Sequence, residues 1–283
     1  SRSGCSSVDL ETFVNSAIET IERSVGPAML VIMRIGGLAI YAPVLSTTSV
    51  PMRLKVMLVF VAGVGAFMLL SAKGVPMPEV AMNPWSIVPL AAVEIGIGAF
   101  IGFLATMPML AMQTAGMING QQMGLGFARF YNPAVGEESD VVQQLLYFLA
   151  LSTFLMMGGL DAIFLSTLRS FEYVGAGVFL EGTSTLPILL GMVLGATEIG
   201  MRVALPLLGV VFLETVAMGF VSKTVPQLNV LSLGFPLRIM IGLVMMIAGL
   251  AVIDAVAAEW VGTVLDQIHL WATTPPTAVG GGV

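Results

Sequence analysis

Charge is scarce in this chain. Lysine and arginine number 11, aspartate and glutamate 17, and together they make up 10% of 283 residues, where soluble domains carry about 25%. There is one cysteine, Cys5, and one histidine, His269. A lone cysteine forms no internal disulfide and leaves the redox compartment unread. One cysteine and one histidine also exclude a Cys/His metal cluster built by this chain alone. Catalytic motifs are missing too: no phosphate-binding loop, no dinucleotide fingerprint after a strand, and no histidine placed beside an activated serine or cysteine. No cofactor is expected, and the chain does not read as an enzyme. The net charge of −6 gives no basis for nucleic-acid binding.

What is present in excess is hydrocarbon. The chain is 57% hydrophobic, with a mean hydropathy of +0.98. A water-soluble fold of that composition would expose large apolar patches and aggregate. Lipid removes the conflict. Six apolar runs follow one another, at 28–45, 54–72, 85–118, 141–168, 186–221 and 230–265. The expected fold is therefore an all-α integral membrane protein, with about six long, kinked hydrophobic helices plus an N-terminal amphipathic helix. The amphipathic segment is 8–25, where Leu10, Phe13, Val14, Ala17, Ile18, Ile21 and Val25 form a stripe at helical spacing. Its Asp9, Glu11, Glu19 and Glu22 are not those of a secretory signal. Such a helix lies at the membrane surface, against a partner, or on its own chain. The residues after 265, ending in a Pro/Gly-rich stretch, read as a disordered tail.

Three runs are too long for one bilayer core, which about 20 helical residues cross. Each contains proline: Pro89 and Pro108, Pro187 and Pro206, Pro236. These runs are either broken helices or helices that project beyond the bilayer and need protein neighbours. Arg34, Glu94, Asp161, Glu198, Arg202, Glu214 and Asp254 fall inside the apolar runs, where lipid exposure costs about 3 kcal/mol for a central arginine or aspartate. Glu198 and Arg202 are four apart and share a helix face, so an internal pair is one reading. For the others, partners on distant segments, other subunits, a wet cavity or a proton relay remain open. Gly98–Gly102, Gly116–Gly120–Gly124 and Gly191–Gly195 have the small-residue spacing of close helix crossings. Methionines 107, 109, 112, 117 and 123 accompany the second series, as packing or as a deformable seal.

Two connections stand out. Residues 119–140, NGQQMGLGFARFYNPAVGEESD, combine amides, glycines and aromatics with an acidic end. Such a loop either folds back into a protein-lined cavity or lies at the surface with an interfacial aromatic belt. Residues 223–238, KTVPQLNVLSLGFPLR, make a polar corner, basic at both ends, between the last two runs.

The block QQMGLGFARFYNPAVG with its following helix, and KTVPQLNVLSLGFPLRIMIGL, resemble the two signatures of the R subunit of the bacterial flagellar type III export gate and its injectisome counterpart. Arg34, Pro43, Pro51 and Arg53 fit the start of that family, and the resemblance spans 8–265 in order and spacing. LGFPLRI leans to the flagellar branch. The resemblance implies a single copy assembled with several P and Q subunits around a channel for unfolded export substrates. It also implies neighbouring B and A export-apparatus subunits, and a place in the bacterial inner membrane within the flagellar basal body. It divides the chain into a P-like part, 8–185, and a Q-like hairpin, 186–265, leaving 266–283 as tail. It maps the channel plug onto Gly124, Leu125, Gly126, Phe127, Ala128, Arg129, Phe130, Tyr131, Asn132 and Pro133, within a loop reaching Glu138. From their place inside the apolar runs, Arg34, Glu94, Glu198, Arg202, Glu214 and Asp254 are expected as buried or subunit-packing charges, and Pro226, Gln227, Leu228 and Asn229, next to Lys223, are expected as a cytoplasmic-side loop. Arg53, Lys55, Arg129 and Lys223 lie in alternate connections, which the positive-inside rule places toward the cytoplasm. The rival readings are an injectisome export-gate subunit and a secondary transporter for a small solute. The transporter reading predicts an inverted internal repeat, and none is convincing.

Overall fold

The computed structural model describes residues 24–47, 50–76, 83–125, 141–174, 185–224 and 230–273. Among them the secondary structure is helical throughout. Helix α1 spans Ser24–Tyr41. It is followed by α2 (Met52–Ala72), α3 (Pro84–Met123), α4 (Val141–Met156), α5 (Gly159–Tyr173), α6 (Thr185–Thr224) and α7 (Val230–Thr273). Five of these are long and apolar enough to cross a membrane, or six if α4 and α5 count as one broken span. The amphipathic segment expected at 8–25 lies outside the described residues apart from its last two positions, which begin α1.

The overlong runs do not split at their prolines. Helices α3 and α6 each run for 40 residues and α7 for 44. At 1.5 Å per residue, 40 residues make about 60 Å of helix, against a hydrocarbon core of about 30 Å. Pro206 and Pro236 sit inside α6 and α7. Each removes one backbone hydrogen bond without ending its helix. The tail boundary needs correction: α7 continues to Thr273, so 266–273 are helix. The reason is apolar anchoring, since Ile268, Trp271 and Ala272 are buried.

The helices group into two compact units. The first contains α1, α2, α3 up to Ala105, α5 from Asp161, and α7 from Ile268. Its core joins Val31 and Ile35 of α1, Ala66 and Leu70 of α2, and Leu168 and Phe171 of α5. The second contains α3 from Thr106, α4, α6 from Leu186, and α7 up to Gln267. Its core joins Met123 of α3, Val142 of α4, and Leu207 and Val211 of α6, with Leu125, Met245 and Met246 against it. Residues 106–160 thus group with 186–267, a partition different from the split at 185 that the resemblance implies.

Glycine sets the closest approach in the first unit. A Cβ at Gly98 of α3 would collide with the carbonyl oxygen of Arg34 in α1, and one at Gly102 would lie 2.6 Å from that of Leu38. The two backbones are therefore in direct contact, a seam only residues without a side chain permit. One face of Gly191, by contrast, is open, with nothing within 4 Å of its would-be Cβ.

At the end of α3 the second unit uses glycine for a different purpose. Gly124 has φ +80. Its amide donates to the carbonyl of Gln121, and the amide of Leu125 donates to that of Gly120, at 3.1 Å each. This is a Schellman cap, which satisfies the last carbonyls and ends the helix on a left-handed residue. The hydrophobic contact that accompanies such caps is also present, since Leu125 packs on the core around Met123.

Gly98→Val should cost about 3 kcal/mol or more, because the clash is with rigid backbone rather than a side chain that can turn aside. Gly191→Ala should lie within about 0.5 kcal/mol of the parent. Thermal unfolding of the detergent-solubilised protein distinguishes them, and equal effects would mean the α1–α3 seam is not as close as described.

Candidate functional site

The charged residues inside the apolar helices are the features a membrane protein must account for. The glycine seam fixes the first of them. Glu94 lies one helical turn before Gly98 on α3, and Arg34 projects from α1 at the same crossing. Both are fully buried. The guanidinium grips the carboxylate with two donors: Arg34 Nε donates to Glu94 Oε2, and Nη2 donates to Oε1 at 3.1 Å. A third donor, Nη1, reaches Ser170 Oγ of α5 at 2.8 Å, and Ser170 Oγ donates in turn to the carbonyl of Thr167 at 2.7 Å. The guanidinium carbon lies 3.8 Å from the centroid of the Phe171 ring, a cation–π placement that is strongest when desolvated. Three helices therefore converge on one arginine. The planar fork of arginine is what permits it, since a lysine ammonium offers neither bidentate geometry nor a stacking face.

A second ion pair lies in the second unit. Glu214 of α6, 7% exposed, accepts from Arg238 Nε at 3.2 Å and from Nη2 at 3.1 Å. Arg238 Nη2 also donates to Thr215 Oγ1 at 3.0 Å. The pair lines a cleft of about 390 Å³ with Met218, Ser222 and Phe235, between the end of α6 and the start of α7. Arg238 was not among the sequence candidates. It is 24 residues from Glu214, too far for a helical-spacing rule, although its place at the basic end of the corner before α7 was a usable signal.

The remaining charges differ from these two pairs. Glu198 and Arg202 do bond, at 2.9 Å, but their side chains are 69% and 63% exposed. Grouped in sequence with the buried charges, they are in fact exposed on α6, and Arg202 lies at the edge of a cleft with α3 and α7. Asp254 is also exposed on α7. It lies 2.9 Å from Thr153 Oγ1 of α4, whose one proton is shared between Asp254 and the carbonyl of Leu149. Asp161 sits in the first turn of α5, where a carboxylate favours the positive end of the helix dipole.

Of the plug residues, Gly124 and Leu125 are described and 126–133 lie outside the described residues, as does the loop 226–229. The geometry at the start is well defined: a Cβ on Gly124 would come within 2.7 Å of the Phe235 ring. Among the described residues no three metal-ligating side chains converge.

Arg34→Leu should destabilise the protein by about 3–5 kcal/mol, because it strands a buried carboxylate. The double variant Arg34→Leu/Glu94→Leu should recover most of that loss, since removing both charges removes the desolvation cost with them. Yield and thermal stability of the solubilised protein check this. A double variant as damaged as the single one would show that the pair is not the source of the effect.

Residues 25–263 match the family described as bacterial export proteins, family 1. The flagellar biosynthetic protein FliR of Escherichia coli strain K12 is 31% identical over 227 residues, covering 77% of this chain and 81% of that protein. FliR of Bacillus subtilis strain 168 is 30% identical over 170 residues, 59% of this chain and 66% of that protein. The Yop proteins translocation protein T of Yersinia pestis is 24% identical over 195 residues, 68% and 75% respectively. With helices built to cross a membrane and a family match over nearly the whole helical region, the chain belongs to family 1 of the bacterial export proteins, integral membrane components of an export apparatus and not enzymes.

Proposed function

We propose that this chain is the R-type subunit of the flagellar type III export gate, one copy of which joins P and Q subunits around a channel for unfolded export substrates. The observation that carries the reading is the unfinished outer surface of the long helices. In the most apolar window of α7 only 6% of residues are buried by the chain itself, and in that of α6 22%. Leu194, Leu205, Phe212 and Leu213 of α6 and Val244, Ile247 and Val252 of α7 are exposed. Lipid would cover such side chains, but not a helix of twice the bilayer thickness, and not the exposed charges Glu198, Arg202 and Asp254. Protein neighbours, or water in a conduit, satisfy both. The flagellar branch is preferred because the FliR relatives are more similar than the Yersinia translocation protein. A solitary solute transporter would leave the uncovered helix surface and the export-family match without a purpose.

In this reading the P-like part is 8–185 and the Q-like hairpin 186–265. The loop from Gly124 to Glu138 closes the resting channel, its start fixed by the Schellman cap and by Phe235. Pro226–Asn229 face the cytoplasm, where the B subunit adjoins, and the A subunit couples export to the proton gradient. The site of action is the bacterial inner membrane, in the flagellar basal body.

Mass measurement of the intact complex in detergent is expected to give one copy of this chain with unequal numbers of two other small hydrophobic subunits. A monodisperse homo-oligomer that moves solute unaided would defeat the proposal. Deleting 126–138, which spares the cap and Leu125, should leave assembly intact and make membranes permeable to ions and small molecules. A complex that assembles without leaking would remove the plug role. Asp254→Leu should reduce co-purification of partner subunits while the chain itself accumulates normally, and undiminished complex yield would mean that Asp254 does not help hold them.

A further inference from the structure

A cleft of about 490 Å³ lies within the second unit, between α3, α6 and α7. Its walls are mainly Val203, Leu207, Met245, Met246, Val252 and Ile253. That size and lining are typical of small-molecule sites, which set a few polar groups in an apolar surround. The polar group here is Asn119 of α3, which lines the cleft and is 1% exposed. Its amide nitrogen has only the Met246 sulfur, at 3.9 Å, and its Oδ1 has no hydrogen-bond partner among the described residues. A buried acceptor left unpaired costs about 1–3 kcal/mol. Of the other lining residues only Arg202 carries a polar side chain, and its Nη2 donates to Glu198 Oε1 at 2.9 Å.

We infer that this cleft binds a neutral amphiphile: a hydrocarbon chain that fills the apolar walls, ending in a hydroxyl or amide N–H that donates to Asn119 Oδ1. The choice of a donor follows from the unpaired acceptor. The choice of a neutral head follows from charge, because the cleft's one charged side chain is already neutralised. The choice of hydrocarbon follows from the lining, which apart from Asn119 and Arg202 consists of apolar residues. The two methionines suit a ligand of variable shape, since thioether side chains repack readily.

The test uses the export complex purified in detergent and two photoreactive probes. One is a monoacylglycerol with a diazirine in its acyl chain, and the other is the same molecule with both hydroxyls methylated. The hydroxylated probe should label residues within 202–207 or 245–256, and unlabelled monoacylglycerol should compete it away. The methylated probe should label the same peptides roughly five- to tenfold less, the worth of one hydrogen bond. Asn119→Leu should lower labelling by the hydroxylated probe to that of the methylated one, leaving the latter unchanged. Equal labelling by both probes in the unaltered protein would overturn the inference. So would the absence of label from these peptides, as expected if a helix of a partner subunit occupies the cleft. The comparison of the two probes is made on the unaltered complex, so it decides the matter even if Asn119→Leu does not assemble.

Discussion

The structure of the first unit depends on two helix backbones being allowed to touch. Arginine and glutamate side chains reach each other across many helix pairs, but a bidentate grip sealed from solvent needs the flanking surfaces closed as well. Gly98 and Gly102 provide that closure against α1. Once the crossing is sealed, the desolvation of Arg34 is offset by three sets of partners at once: a carboxylate, a hydroxyl and an aromatic face. Such a pair is weak evidence for stability in itself, since apolar replacements of equal volume often do as well. Its distinguishing property is that it ties α1, α3 and α5 together at one residue.

The second unit treats its charges in two ways. Glu214 and Arg238 are joined inside the unit. Glu198, Arg202 and Asp254 are left exposed on α6 and α7. A self-sufficient membrane protein would have little reason to leave three ionic groups exposed on two such long apolar helices. In a subunit of a larger body, the same placement marks surfaces to be completed by neighbours. The length of these helices points the same way, because lipid does not cover their excess over the bilayer.

Much of this was legible in the residues. Hydropathy and the shortage of charge identify the membrane class, because no other solvent tolerates the composition. The six runs give the spans, and the glycine pair at 98 and 102 marks a real crossing. The prolines misled in one respect: they left open a break in α6 and α7, yet the helices continue, since one missing amide costs less than the apolar packing along many residues. Periodicity foresaw the bond between Glu198 and Arg202 but not that it would be exposed, because spacing along a helix says which residues are neighbours and not which way their face points. Arg34 with Glu94, and Glu214 with Arg238, lie 60 and 24 residues apart. Contacts of that kind arise from the crossing of helices and leave no local trace. The end of α7 was missed for a related reason. Its final turns look polar in sequence, but Ile268 and Trp271 bury apolar surface that a window average dilutes.

The cap at Gly124 and Leu125 has a mechanical consequence. With one residue locked left-handed and the next seated in the core, the helix end cannot unwind to lengthen the following segment, nor wind further to shorten it. The reach of everything from 126 onward is therefore metered from a stationary pivot. Force applied to that segment would be delivered to the core around Met123 and Leu207, and not dissipated by fraying of α3.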